Sequence, residues 1–153
     1  MKKAVLALLA LLVAGCATTG EPYSPPPPAP AGKSLVYLMR TSVSLGGAWT
    51  TQFYINDKHA TSLYDRGYSY VYLGPGKYKI SVTSTLQKKD YLHFDMPIKA
   101  GRTYYIEYTQ QPIGGATVRN VVRALKPAYG QQLVERYTYK PAKEGEIPES
   151  PAN

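Results

Sequence analysis

The chain of 153 residues carries 18 Lys and Arg against 10 Asp and Glu, a formal net charge of +8, with one cysteine and two histidines. A single cysteine excludes an internal disulfide. No C-x-x-C, H-E-x-x-H, P-loop or G-x-S-x-G pattern marks a zinc, nucleotide or hydrolase site.

Lys2 and Lys3 open the chain, and Ala4 to Ala14 is an unbroken apolar run. A bilayer-spanning helix needs ~20 apolar residues, so this run is too short to span and has the length of a signal-peptide core. Val13-Ala14-Gly15-Cys16 resembles a bacterial lipobox. That resemblance implies a signal peptide over residues 1–15, removal between Gly15 and Cys16, and diacylglycerol and palmitate on Cys16. An ordinary secretory signal beside a stray cysteine, or a cytosolic apolar N-terminus, is the alternative. Two or more acyl chains hold a protein stably where one does not. Ala17 stands where an aspartate would resemble an inner-membrane retention signal, which favours the periplasmic face of the outer membrane and leaves surface exposure open.

Residues 17–32, ATTGEPYSPPPPAPAG, hold six prolines. With the lipidated cysteine, 16–32 reads as a tether: a polyproline II spacer of ~3.1 Å per residue that stays out of any core and lifts the rest up to ~50 Å from the lipid. Residues 33–139 form one domain. Residues 140–153, rich in Pro, Glu and Lys without periodicity, read as a disordered tail.

Within the domain the pattern is that of sheet. Leu35 to Met39 is apolar on both faces, as a central strand requires. Strands are expected at Thr51 to Ile55, Thr61 to Tyr64 and Tyr68 to Leu73. Lys77 to Thr83 alternates strictly, as do Leu92 to Ile98 and Tyr104 to Thr109, so each shows one dry and one wet face. Asn120 to Leu125 completes the set. Asn56-Asp57-Lys58 reads as a hairpin turn, Gly74-Pro75-Gly76 as another, and Ala100-Gly101-Arg102 repeats the same grammar. Seven or eight short strands joined by such turns imply an all-β fold, a small antiparallel β-sandwich. Pro127 to Arg136 is the one helix candidate, opened by proline and weakened by Gly130.

AGKSLVYLMR, FYINDKHATSL, YVYLGPGKYKISV and IKAGRTYYIEY follow one another along the domain. In that order they resemble the small bacterial lipoproteins grouped as domain of unknown function 2846, over residues 31 to about 126. The resemblance implies a first strand ending in Arg, a hairpin, a P-G-K turn and a G-R-T-Y-Y strand. It implies fold and location and carries no chemistry. Asn56-Asp57-Lys58 departs from the Asn-Gly-Lys of the pattern. Residues 110–119 look like a hairpin extension.

Charge and tyrosine are the informative residues. Lys33 to Lys126 holds thirteen Lys or Arg against five acids, and the chain holds 15 tyrosines. Tyr68, Tyr70 and Tyr72 share one strand face. They either line the sandwich core or form an exposed platform for a glycan or partner strand. Lys77 and Lys79, with Lys88, Lys89 and Lys99, either protect strand edges or form a basic patch for anionic lipid, lipopolysaccharide or peptidoglycan. His93 and Asp95 share a strand face beside Tyr91. The pair could serve a general base or a metal, but neither a nucleophile nor a third ligand is placed with it, so a solvated polar pair is the simpler reading. No cofactor is expected. The resulting expectation is a non-enzymatic, membrane-anchored binding or structural module of the envelope, whose basic, Tyr-rich sheet, with Tyr68, Tyr70, Tyr72, Lys77 and Lys79 on one face, contacts an envelope protein or an anionic glycan or lipid such as peptidoglycan. A contact through the Gly114-Gly115 extension or the Thr41 to Ala48 loop would instead suit an accessory subunit. Basic charge among aromatics would suit nucleic acid only if the export signal were false.

Overall fold

The computed structural model describes residues 20–41, 49–84 and 87–142. Gly15 and Cys16, where a lipobox was expected, residues 42–48 and residues 143–153 lie outside the described residues, as do the side chains of Lys88, Lys89 and Tyr91.

The strands are β1 (Glu21–Pro22), β2 (Ser34–Arg40), β3 (Thr51–Ile55), β4 (Lys58–Leu63), β5 (Gly67–Leu73), β6 (Gly76–Ser84), β7 (Gln87–Ile98), β8 (Thr103–Gly114), β9 (Thr117–Ala124) and β10 (Thr138–Tyr139). Among the described residues one helix, α1 (Pro127–Val134), precedes β10. They form a six-stranded sheet, ordered β1-β10-β5-β2-β8-β9, and a four-stranded sheet, ordered β4-β3-β6-β7. The fold is an all-β sandwich. Its pairing is antiparallel except where β2 meets β8 and β10 meets β5.

Alternation decides what each sheet buries. On β6, Tyr78, Ile80 and Val82 are buried; on β5, Val71 and Leu73; on β3, Phe53 and Ile55. With Val36, Leu38 and Ile106 they form the layer between the sheets. Each such side chain contributes roughly 1.5–3 kcal/mol when removed from water. β2, apolar on both faces, lies between β5 and β8, so its second face also needs cover.

The turn at Asn56-Asp57 is a two-residue hairpin with φ of 48° and 64°. Asn and Asp tolerate this left-handed pair better than other non-glycine residues, which accounts for the departure from Asn-Gly. Gly74-Pro75 does not close a hairpin. It carries the chain from β5 in one sheet to β6 in the other, and Lys99–Arg102 returns it from β7 to β8. Pattern alone marks a reversal of direction and says nothing of which sheet receives the next strand. Gly114 and Gly115 do close the β8–β9 hairpin.

The largest departure from the sequence reading concerns the tether. Residues 20–32 do not stand off as a spacer but run along the six-stranded sheet. β1 pairs with β10, and Tyr23 packs into a second apolar cluster on the sheet's outer face. That cluster contains Tyr37, Met39, Tyr68, Tyr105, Val134 and Tyr137, and α1 lies over it. The proline run was read as unable to join a core. Its prolines remain mostly exposed, while Tyr23 supplies the apolar contact. The body also extends beyond Tyr139: the Lys140 amide donates to the Tyr68 carbonyl (2.8 Å), and Ala142 packs against the inter-sheet core.

Candidate functional site

Alternation along β5 sends Val71 and Leu73 into the sandwich and Tyr68, Tyr70 and Tyr72 to the opposite face. The tyrosine stripe therefore lines neither the sandwich core nor an open platform. Tyr68 is buried under Tyr23, with ring centroids 5.7 Å apart. Its hydroxyl meets Ser24, accepting from the amide at 3.4 Å. Tyr72 donates to the Pro27 carbonyl at 2.6 Å. Tyr70 stacks on Tyr139 of β10 at 5.4 Å. Three consecutive outward tyrosines thus hold the N-terminal arm and the last strand. Burial, with neighbouring phenols, pushes Tyr37 and Tyr139 well above the ordinary phenol range, and burial raises Tyr68, Tyr72 and Tyr105 as well.

α1 completes this face. Pro127 opens the helix with its ring preset for the first turn. Gly130 lies directly on Tyr105: a Cβ there would fall 2.3 Å from that ring's Cγ. Tyr105 stacks on Tyr37 at 5.0 Å and donates to Gln131. Gln131 in turn donates to the Tyr23 hydroxyl at 3.2 Å. The glycine that weakened the helix in the sequence is what allows the helix to approach the sheet.

Lys77 and Lys79 lie elsewhere. They project from β6, on the outer face of the four-stranded sheet, so the tyrosine and lysine sets occupy opposite sides of the sandwich and do not form one basic aromatic surface. Each lysine has an acid: Lys77 meets Asp95 at 2.8 Å and Lys79 meets Asp57 at 2.7 Å. The Lys77 ammonium holds the Asp95 carboxyl below the usual carboxylate range. His93 is exposed on the same face, opposite Ser81. Asp95, engaged by Lys77, is a poor candidate for a general base. Among the described residues no group of three His, Cys, Asp or Glu side chains could hold a metal ion.

A cleft of about 730 Å³ opens where the two sheets diverge. β9 reaches the row of Ile106 and the Leu125 amide still donates to the Tyr105 carbonyl (2.8 Å), so only the start of β8, at Thr103 and Tyr104, has β2 on one side and no paired strand on the other. β7 is the outermost strand of its own sheet. Between these two edges Phe94, Met96, Tyr104 and Leu125 make apolar walls, and Asp95 and Arg102 supply the polar groups. Arg123 and Lys126 flank the same opening through an adjoining depression that shares Ala124 and Leu125. The arrangement suits an extended apolar segment with acidic flanks. Sequence reasoning did not find it. The signal was divided between residues about 30 positions apart, which the β7-to-β8 crossover and the return of β9 along β8 bring together.

Arg40 was also missed as a site residue. It ends β2 on the face of Val36 and Leu38, is 2% exposed, and donates to the carbonyls of Trp49 and Leu63 (3.1 Å to the latter). Burial lowers its guanidinium from the ordinary arginine value. On the opposite face, Glu107 is buried and met by Arg123 at 2.9 Å and by the Thr41 hydroxyl. A charge at the end of an apolar strand is the visible trace of Arg40. Nothing in the sequence indicates which carbonyls it joins.

No curated protein is matched by the chain. Residues 30–119, from just before β2 into β9, match the family model described as protein of unknown function (DUF2846). The arm, α1 and β10, which together cover the tyrosine face, lie outside that matched segment. The match takes in more than half of the 153 residues, and the chain belongs to this family.

Proposed function

We propose that the protein is a lipid-anchored, non-catalytic binding module of the bacterial cell envelope, held to the periplasmic face of the outer membrane through Cys16. Its partner is a protein that presents an extended apolar segment to the cleft between β7 and β8. The charged n-region, the apolar run and the small pair before Cys16 support the anchor. The cleft supports binding, and its apolar walls beside Arg102, Arg123 and Lys126 are the observation that carries the reading. The outer edge of β7 provides backbone donors and acceptors for an added strand, apart from Pro97, which has no N–H to give, and the start of β8 adds a shorter edge opposite. The non-catalytic part of the reading is supported by the neutralising contact of Lys77 with Asp95 and by the exposure of His93.

Photocrosslinking in intact cells tests this. A photoreactive phenylalanine at Tyr104 or Leu125 is expected to give one discrete adduct, and the same group at Lys77 none. Adducts from position 77 with none from 104 and 125 would remove the cleft as the site. Full complementation by the protein carrying His93→Ala with Asp95→Ala is the expected result for the non-catalytic reading.

A further inference from the structure

The docked arm changes where the body sits relative to its anchor. Only four Cα steps separate Cys16 from Gly20, which fixes a maximum reach of about 14 Å whatever their conformation. Gly20 itself is seated. A Cβ there would fall 2.8 Å from Thr138 Cβ, so the chain lies flush against β10 at this point. The corner around Gly20 must therefore stay within about 14 Å of the lipid-bearing cysteine.

What that end of the molecule presents is specific. Gly20 shares a depression of about 530 Å³ with Tyr64, Lys140 and Pro141. Tyr64 is 45% exposed, and the Lys140 ammonium lies 5.3 Å from its ring centroid. Trp49 is 47% exposed. Arg40 binds the Trp49 and Leu63 carbonyls with one nitrogen and so brings Trp49 next to Tyr64. Arg40 pairs in register with Gly67 and Tyr108, so this is the end towards which β2 and β8 run. β8 continues past the Arg40 row into its hairpin with β9, which carries Ile113, 54% exposed. Among the described residues, four large apolar side chains are exposed, and three of them, Trp49, Tyr64 and Ile113, belong to this end; the fourth, Tyr129, is on α1.

We propose that this end, with Trp49, Tyr64 and Ile113 foremost, seats directly on the lipid bilayer surface, so that the anchored protein lies against the membrane in one orientation. The inference rests on the acylation of Cys16 proposed above. Trp and Tyr favour the interface between headgroups and acyl chains, where an apolar ring and a polar edge are both satisfied. Lys140 can keep its ammonium among the headgroups while its stem lies along Tyr64. At this end Lys140, Arg66 and the hairpin's Arg119 stand against Glu21 and Asp65, a surplus of one positive charge, so the seat depends mainly on aromatic burial and only weakly on anionic lipid.

Trp49 is the only tryptophan in the chain and reports on the contact directly. The acylated full-length protein is placed in vesicles of phosphatidylethanolamine and phosphatidylcholine, with and without phosphatidylglycerol. Mass spectrometry and vesicle flotation establish acylation and attachment first. The expected result is a blue shift of Trp49 emission and its loss in vesicles brominated near the headgroup, present without phosphatidylglycerol and changed little by it. The reporter moved to the hairpin (Trp49→Phe with Ile113→Trp) is expected to behave alike, and the reporter moved to the helix (Trp49→Phe with Tyr129→Trp) to stay unquenched. Attached protein whose Trp49 is unquenched overturns the seating while leaving the anchor intact. So does a blue shift that follows protein concentration rather than lipid, which would assign this end to a second copy. An unacylated Cys16 overturns the anchor, and the seating with it.

Discussion

Gly130→Ala separates two effects of opposite sign. In an exposed helix the change would stabilise by ~1 kcal/mol, because alanine is the better helix former. Here the new methyl would meet the Tyr105 ring at 2.3 Å from Cγ and 2.5 Å from Cβ, where carbon atoms prefer separations of ~3.5–4.0 Å. These are the root atoms of the side chain, so rotating the far end of the ring gives no relief. Tyr105 is also confined, stacked on Tyr37 and bonded to Gln131. The helix must lift by more than 1 Å, which loosens Val134 and the contact from Gln131 to Tyr23. Contacts this short belong at the upper end of the ~1–3 kcal/mol that overpacking costs, roughly 2–3 kcal/mol, so a net loss of about 1–2 kcal/mol is expected after the propensity gain. Urea unfolding reads this as a lower midpoint at unchanged slope. Tyr105→Gly in the same chain removes both root atoms, Cβ and Cγ, and with them the obstacle, so the pair should couple by at least ~1 kcal/mol in a double-mutant cycle. Gln132→Ala, on the exposed side of α1, serves as the neutral control. A Gly130→Ala protein as stable as the parent, or stabler, would refute the close seating of α1 on the sheet.

Arg40→Leu leaves the Trp49 and Leu63 carbonyls without their donor and is expected to cost about 2–4 kcal/mol, read by urea midpoint together with a red shift of Trp49 emission; an unchanged midpoint would contradict it. Tyr23→Ala removes the ring contact to Tyr68 and the acceptor for Gln131, so limited proteolysis should cut within residues 20–32 faster than in the parent, and an equal rate would count against arm docking. Raised phenols make the fold alkali-sensitive. The folded state keeps protons that the unfolded chain loses near the ordinary tyrosine value of ~10, so stability is full below that pH and falls as pH rises through the higher folded values. Tyrosinate absorbance and loss of sheet signal should therefore change together. Independent ionisation near pH 10 with the sheet intact would contradict the shared burial of these rings.

The strands were legible because the alternation of β6, β7 and β8 encodes a single buried face, and because β2, apolar throughout, announced a strand covered on both sides. The turn at residues 56–57 was legible from Asn and Asp. Sheet membership was not, since a Gly-Pro-Gly corner within a hairpin and one between sheets share the same local chemistry. The arm was misread for a related reason. Composition showed that six prolines cannot build a sheet, but Tyr23 and the carbonyls of Ser24 and Pro27 needed only a row of outward tyrosines to dock against. The outward row on β5 was visible, whereas its occupant was more than 40 residues away in sequence. The lysines were read as one surface with those tyrosines because period two gives a face within a strand and no relation between the faces of two sheets.

The claim on which the rest depends is that the segment from Gly20 to Pro27 belongs to the folded body, which leaves the proposed tether only a few residues. Spin labels at Glu21→Cys and Gln132→Cys, both exposed, measure this directly by pulsed electron resonance in the full-length protein purified with its N-terminal modification. A docked arm gives one narrow distance distribution that is unchanged on binding to vesicles. A broad distribution, spread as a free proline-rich spacer would be, contradicts the account.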